Sequence, residues 1–76
     1  MFNVLDTVVL KRDLSDAGLC AGDLGAIVEI LSANHLEVEF VAASGRTQAL
    51  VTLSSGDIRH VNDSDLVAVR SLQPVG

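Results

Sequence analysis

Alternating apolar and polar positions along the chain predict a series of short β-strands. The clearest segment is 35–41, in which Leu36, Val38 and Phe40 occupy one face and polar side chains occupy the other. Other segments are rich in aliphatic and β-branched residues, which are typical of strands. We therefore predict strands over residues 4–10, 26–31, 35–41, 46–53 and 59–61.

Polar residues and glycines between these segments predict the connections. Residues 11–23 are mostly polar and include two glycines, so we expect a long extended loop that leads into a turn at 22–25. Residues 43–45 favour a hairpin, and residues 54–58 favour a single 3₁₀ turn before the last short strand. This arrangement predicts an all-β fold, a small SH3-like barrel of about five strands.

The C-terminal segment predicts one more element. Residues 66–72 include Val67 and Val69, and this β-branched content favours an additional C-terminal strand. We therefore divide the chain into a barrel at 1–61 and a C-terminal extension at 62–76. The extension is expected to pack on its own barrel or on a partner subunit.

The length and composition exclude several functions. A chain of 76 residues forms one small domain, and such a domain buries only about 60% of the surface of its unfolded form, so self-association is an expected source of stability. The net charge of −5 argues against nucleic acid or an anionic membrane as the partner. Two phenylalanines, with no tryptophan or tyrosine, are too few for a groove that binds proline-rich peptides or stacks bases.

The use of cysteine and the first residues indicate the compartment. Cys20 is the single cysteine, which excludes an internal disulfide and is typical of a reducing compartment. The first residues have no basic segment ahead of an apolar one, so we expect neither a signal peptide nor a membrane anchor. We therefore predict a cytoplasmic protein.

Candidate catalytic and metal-binding residues are few. Cys20 with His35 or His60 would form a thiol–imidazole pair, the basis of a small hydrolase, but no basic residue lies near Cys20 in the sequence to activate the thiol. The three aspartates of the loop at 11–23 are interrupted by apolar residues and followed by no glutamate, unlike a calcium-binding loop. We therefore predict no catalytic residue, no cofactor and no metal site, and we interpret the protein as not an enzyme.

Several segments together resemble a known family. The most specific is Gly-Leu-Cys-Ala-Gly-Asp-Leu-Gly at 18–25, accompanied by Leu-Asp-Thr-Val-Val-Leu at 5–10, Val-Glu-Phe-Val at 38–41 and Asp-Ile-Arg at 57–59. Over residues 5–61 the chain resembles a bacterial family of very short SH3-like proteins catalogued as a domain of unknown function. Similar turns occur in the SH3-like barrel of nitrile hydratase β subunits.

The resemblance implies an SH3-like fold and no established enzymatic activity. It also implies an alternative function, that of an antitoxin or immunity protein that neutralises the product of a neighbouring gene.

Apolar residues on both faces of the predicted strands indicate a binding surface. In the first strand, Val8 and Leu10 lie on the opposite face from Val9, whereas a small barrel on its own would keep one face polar. We predict a non-enzymatic protein–protein interaction module that binds another protein or itself, as a homo-oligomer. The predicted contact residues are Val8, Leu10, Ile27, Leu31, Leu50, Val67 and Val69, with Glu29 and Arg70 as charges at the rim. The alternative is that these apolar residues are covered within the same chain.

Overall fold

The computed structural model describes residues 1–72, which fold into one sheet of five antiparallel strands. Single 3₁₀ turns lie at Ser15–Ala17 and Ser55–Asp57. The all-β prediction is therefore confirmed, and no helix within residues 1–72 is long and apolar enough to cross a membrane. The strands are β1 (Thr7–Leu10), β2 (Leu24–Ile30), β3 (His35–Val41), β4 (Thr47–Ser54) and β5 (Ile58–His60), in the spatial order β4-β3-β2-β1-β5.

Strand β3 matches its predicted bounds and supplies much of the core. It pairs with β2 on one side and β4 on the other. Leu36, Val38 and Phe40 are buried, as their alternation predicts, because successive side chains of a strand point to opposite faces. The face that carries these three residues is called the inner face below, and the opposite one the outer face.

The first strand is shorter than predicted because a turn occupies its first residues. The amide of Asp6 donates to the carbonyl of Asn3 at 3.1 Å, and the amide of Asn3 donates to the Asp6 carboxylate at 2.8 Å. Leu5 in this turn has a φ of 76°, a left-handed conformation that is not that of a strand, although its amide still donates to the carbonyl of Ile27 at 2.7 Å. Strand β1 therefore begins at Thr7.

Strand β2 begins earlier than predicted because Gly25 is needed inside the sheet. A Cβ atom at this position would lie 2.8 Å from Phe40 Cε2 and 2.8 Å from Val38 Cγ1. Only a glycine allows these two core side chains to cross over β2 at this point. Leu24 and Gly25 pair with Val9 and Val8 of β1 and so belong to β2, and the turn predicted at 22–25 is confined to the residues before them.

Three residues predicted to contact a partner lie in the core instead. Val8, Leu10 and Ile27 are at most 1% exposed, so the prediction that they contact a partner is wrong for this fold. The physical reason is register, because Leu10 pairs with the buried Ile58, and Ile27 pairs with the buried Val38. The buried cluster consists of Val8, Leu10, Leu19, Ile27, Leu36, Val38, Phe40, Leu53 and Ile58.

Two irregularities bend the sheet. The register between β2 and β3 shifts between Ile27 and Glu29, and the register between β3 and β4 shifts between Phe40 and Val41. At the second shift Gln48 is the extra residue, and its side-chain amide donates to the carbonyl of Ala17 at 3.2 Å. This contact ties the long loop after β1 to the first part of β4.

The 3₁₀ turn before β5 has the predicted position. Its start is a capping box, in which the Ser54 amide donates to the Asp57 carboxylate at 3.0 Å. Arg12 Nε donates to the same carboxylate at 2.8 Å, and together with the Ser54 contacts it lowers the pKa of Asp57. The carboxylate thus joins the long loop to the turn that leads into β5.

The predicted C-terminal strand is not present in the described residues. Residues 62–72, called the tail below, carry no strand, although Val67 and Val69 favour one. Side-chain ion pairs, and not backbone hydrogen bonds to a neighbouring strand, hold the tail. Residues 73–76 of the predicted extension lie outside the described residues.

Candidate protein-binding surface

An apolar row crosses the outer face of the sheet at one end. Val9 of β1 lies opposite Leu24 of β2, and both line one cleft together with Val41 of β3. Val9 is almost covered, whereas Leu24 and Val41 are partly open to solvent. The row forms the sheet side of a cleft of about 590 Å³, which lies in the range of ligand-binding clefts.

The tail forms the other side of this cleft. Leu66, Val67 and Val69 line it along with the neighbouring tail residues. These three residues are 96%, 73% and 98% exposed, so they make little contact with the sheet. The cleft is therefore open, with apolar side chains on both sides.

Two arginine–aspartate pairs hold the tail in place. Arg70 donates through Nη2 and Nε to the two oxygens of Asp23, at 2.6 and 2.8 Å, and through Nη2 to the carbonyl of Gly18 at 3.0 Å. Arg59 of β5 donates to both oxygens of Asp65, at 2.8 and 3.1 Å. Bidentate pairs of this kind fix orientation as well as distance.

These pairs shift the ionisation of both aspartates. Hydrogen bonds from Arg70 lower the pKa of Asp23, and the amide of Cys20 adds to the effect. Hydrogen bonds from Arg59 lower the pKa of Asp65, and a hydrogen bond from the amide of Asn62 lowers it further. Both carboxylates are therefore charged at neutral pH, so both ends of the tail are held under those conditions.

The outer face becomes acidic with distance from the apolar row. Glu37, Glu39 and Val41 occupy alternate positions of β3 and therefore lie on the same face. Glu37 lies directly opposite Glu29 of β2. Glu37 accepts a hydrogen bond from Thr52, and Glu39 accepts one from Thr47, so threonine hydroxyls rather than cations contact these two carboxylates.

The structure separates the seven predicted contact residues into two groups. Val8, Leu10 and Ile27 are in the core, as stated above. Leu31, at 48%, and Leu50, at 56%, are exposed. Val67 and Val69 are exposed as well, and of the four exposed residues only these two line the cleft.

The two predicted rim charges have different environments. Glu29 is exposed on the outer face, beside Glu37. Arg70 forms an ion pair with Asp23 and thereby holds the tail, so it is not a free charge.

Three cleft residues were missed by the sequence-based prediction. Leu24 was assigned to a turn, and Val41 and Leu66 were not among the predicted contact residues. The signal for Val41 was the alternation of β3, which places it two residues beyond Glu39 on the outer face. The positions of Leu24 and Leu66 depend on the register of β2 and on the ion pairs of the tail, which the sequence pattern does not specify.

Cys20 and the two histidines do not form a hydrogen-bonded pair within residues 1–72. Cys20 is exposed, and its amide donates to Asp23. His35 contacts the Ser32 hydroxyl at 3.2 Å. His60 contacts the Asp6 carboxylate at 3.2 Å and stacks on Phe2, with the ring centroids 4.5 Å apart.

No group of three or more His, Cys, Asp or Glu side chains within residues 1–72 is arranged to hold a metal ion.

Comparison with known proteins gives one match. A family model described as a domain of unknown function (DUF4926) matches residues 4–60, from the turn before β1 to the end of β5. Neither the curated proteins nor the solved structures contain a significant match to the chain.

Proposed function

The chain belongs to the family described as a domain of unknown function (DUF4926), and we propose that it is a non-enzymatic protein–protein interaction module. The observation that carries the proposal is the open cleft between the apolar row and the tail. Its tail side is lined by Leu66, Val67 and Val69, each of which is at least 73% exposed. Contiguous apolar surface of this kind is typical of protein interaction sites.

The ion pairs of the tail support this proposal. Arg59 and Arg70 hold the tail at two points, so much of its conformational freedom is already lost before any partner arrives. A partner that covers a pre-ordered segment has less entropy to overcome than one that must order it. At about 25 cal/mol per Å² of apolar surface, covering even a small part of the cleft contributes measurable affinity.

We also propose that the five strands close into an SH3-like barrel in a bacterial cytoplasmic protein. The long loop between β1 and β2 and the 3₁₀ turn directly before β5 support the barrel. The position of β5 beside β1 leaves β4 and β5 as the two edge strands, and the proposed barrel closes where these two edges meet. The resemblance to bacterial proteins and the single cysteine support the setting.

The proposal is tested by removing apolar side chains from the cleft. The native chain, immobilised on a resin, is compared with a Val67→Ser/Val69→Ser variant in affinity capture from a host extract. A Val4→Ser/Val28→Ser variant is the matched control, because it removes two exposed valines that do not line the cleft. We expect a protein that the native chain and the control retain and the tail variant loses.

Light scattering on the same proteins identifies self-association. If the partner is a second copy of the chain, the native chain and the control give a mass above 8.0 kDa, and the tail variant gives 8.0 kDa. An antitoxin-like role is a special case of the same module, and mass spectrometry of the retained protein would identify its target. Capture that is equal for all three proteins, with all three at the monomer mass, would refute the proposal.

A further inference from the structure

We infer that the partner is a basic, extended segment of another protein, which places apolar side chains in the cleft and lysine or arginine side chains on the acidic outer face. This inference rests on the proposed function and deepens it by naming the partner's chemistry. The features that carry it are the apolar cleft, the glutamates beside it and the charge balance of the whole chain.

The geometry combines both chemistries along one strand. Val41, Glu39 and Glu37 occupy alternate positions of β3, so the outer face changes from apolar to acidic within four residues. At about 3.3 Å per residue, this distance is about 13 Å. An extended segment of five or six residues would therefore reach from the cleft to Glu37, and the methylene stems of lysine or arginine would pack well on the apolar part.

The charge balance supports a cationic partner. The chain carries five basic residues against ten acidic ones. Three of the five, Arg12, Arg59 and Arg70, are paired with aspartates of the same chain. The ion pairs of residues 1–72 therefore leave the glutamates of the outer face without a cation of their own.

The pair of Glu29 and Glu37 adds a more specific argument. These residues lie directly opposite each other on neighbouring strands. Like charges in this position are destabilising, and a cation bound between them would remove the repulsion. A basic side chain from a partner would therefore be attracted to this position in particular, rather than to the acidic surface in general.

The same charges argue against a second copy as the occupant. A second copy carries the same net charge of −5. The basic residues that make no ion pair within residues 1–72, Lys11 and Arg46, are far apart in sequence, one after β1 and one before β4. A second copy therefore offers no basic segment that matches the outer face.

The test measures the binding of defined peptides to the full chain by fluorescence anisotropy. One labelled nine-residue peptide has valine at alternate positions of one half, lysine at alternate positions of the other half and serine elsewhere, so that an extended peptide presents valine and lysine on one face. A second peptide has serine in place of each lysine. We expect the lysine peptide to bind at least tenfold more tightly than the serine peptide at low salt, with the difference shrinking as salt is added.

Variants of the protein then show which carboxylates attract the lysine peptide. Glu29→Gln/Glu37→Gln/Glu39→Gln changes the net charge from −5 to −2, and so does the control, Asp13→Asn/Asp16→Asn/Asp63→Asn. We expect the glutamate variant to weaken binding of the lysine peptide by roughly tenfold, since three exposed ion pairs are lost. The control should weaken it by less than about threefold, because only long-range attraction is reduced.

The contrary outcomes separate this inference from the proposed function. Equal weakening by both variants would show non-specific attraction to an acidic protein and would overturn the inference. If both peptides bind with equal affinity and the Val67→Ser/Val69→Ser variant binds neither, the inference of a basic partner is overturned. The proposed interaction module is then still supported. Absence of binding by either peptide would also overturn the inference, whereas the capture experiment decides the proposed function on its own.

Discussion

The two faces of the sheet carry the same kinds of aliphatic residue but are stabilised in different ways. On the inner face, Val8, Ile27 and Val38 are fully buried against one another. On the outer face, Leu50 and the tail residue Val69 remain exposed, and the tail keeps its place through arginine–aspartate pairs. Apolar packing thus holds the inner face, whereas polar contacts hold the tail in position.

This difference shows that register, more than composition, determines which apolar residues form the core. Val8 and Val9 are neighbours of identical type, yet only Val8 joins the core cluster. Val9 lies opposite Arg59 and Leu24 and contributes to the cleft. The apolar side chains that are left outside the core are then available for binding.

The largest expected effect comes from comparing equivalent truncations on the two faces. Ile27→Ala removes a fully buried side chain and should lower the free energy of unfolding by about 3 kcal/mol. Leu50→Ala, on the outer face at 56% exposure, should lower it by only about 0.5 kcal/mol. Urea denaturation of both variants checks this, and similar losses would mean that the outer face is packed in the native protein.

A smaller effect is expected from adding a single methyl group to the inner face. Gly25→Ala would place its Cβ atom 2.8 Å from side-chain atoms of Phe40 and Val38, and such overpacking should cost about 2 kcal/mol. Gly56→Ala is the control, since its Cβ atom would meet only Ser54 Oγ, at 3.7 Å. Thermal unfolding should show a clear decrease for the first variant and little change for the second.

The smallest effect concerns the tail and depends on pH. The pKa values of Asp23 and Asp65 lie below the ordinary 3.8, so their ion pairs are complete well above pH 3.8 and are lost as the pH falls through the lowered values. We expect the backbone of residues 66–72 to gain fast motion in acid before that of β3, which ¹⁵N relaxation measures.

Arginine variants provide the comparison for this experiment. Arg70→Gln should increase the fast backbone motion of the tail already at neutral pH, because it removes the bonds to Asp23 and to the Gly18 carbonyl. Arg46→Gln changes the charge by the same amount but breaks no ion pair found within residues 1–72. An equal response of the two variants would show that the Arg70 contacts do not hold the tail.

The sequence allowed the strands to be predicted where local pattern and tertiary structure agree. Strand β3 alternates strictly, so both its bounds and its buried face could be read directly. The 3₁₀ turn before β5 was also predictable, because Ser54 before the turn and Asp57 at its end have the spacing of a capping box.

The candidate site was harder to predict because it depends on contacts between distant residues. Both faces of β1 are apolar, and only pairing with β2 and β5 decides between Val8 and Val9. The tail contains residues that favour a strand, but its position follows from Arg70 reaching Asp23, 47 residues earlier in the chain. Periodicity carries no information about such long-range ion pairs.

The exposed thiol of Cys20 has a practical consequence for work on this protein. It is the single cysteine of the chain, and its backbone amide donates to the same aspartate that binds Arg70. A maleimide dye attached there would sit beside the Arg70–Asp23 contact of the tail without any engineered mutation. One labelled sample would thus signal, in real time, both the detachment of the C-terminal segment and the arrival of a ligand.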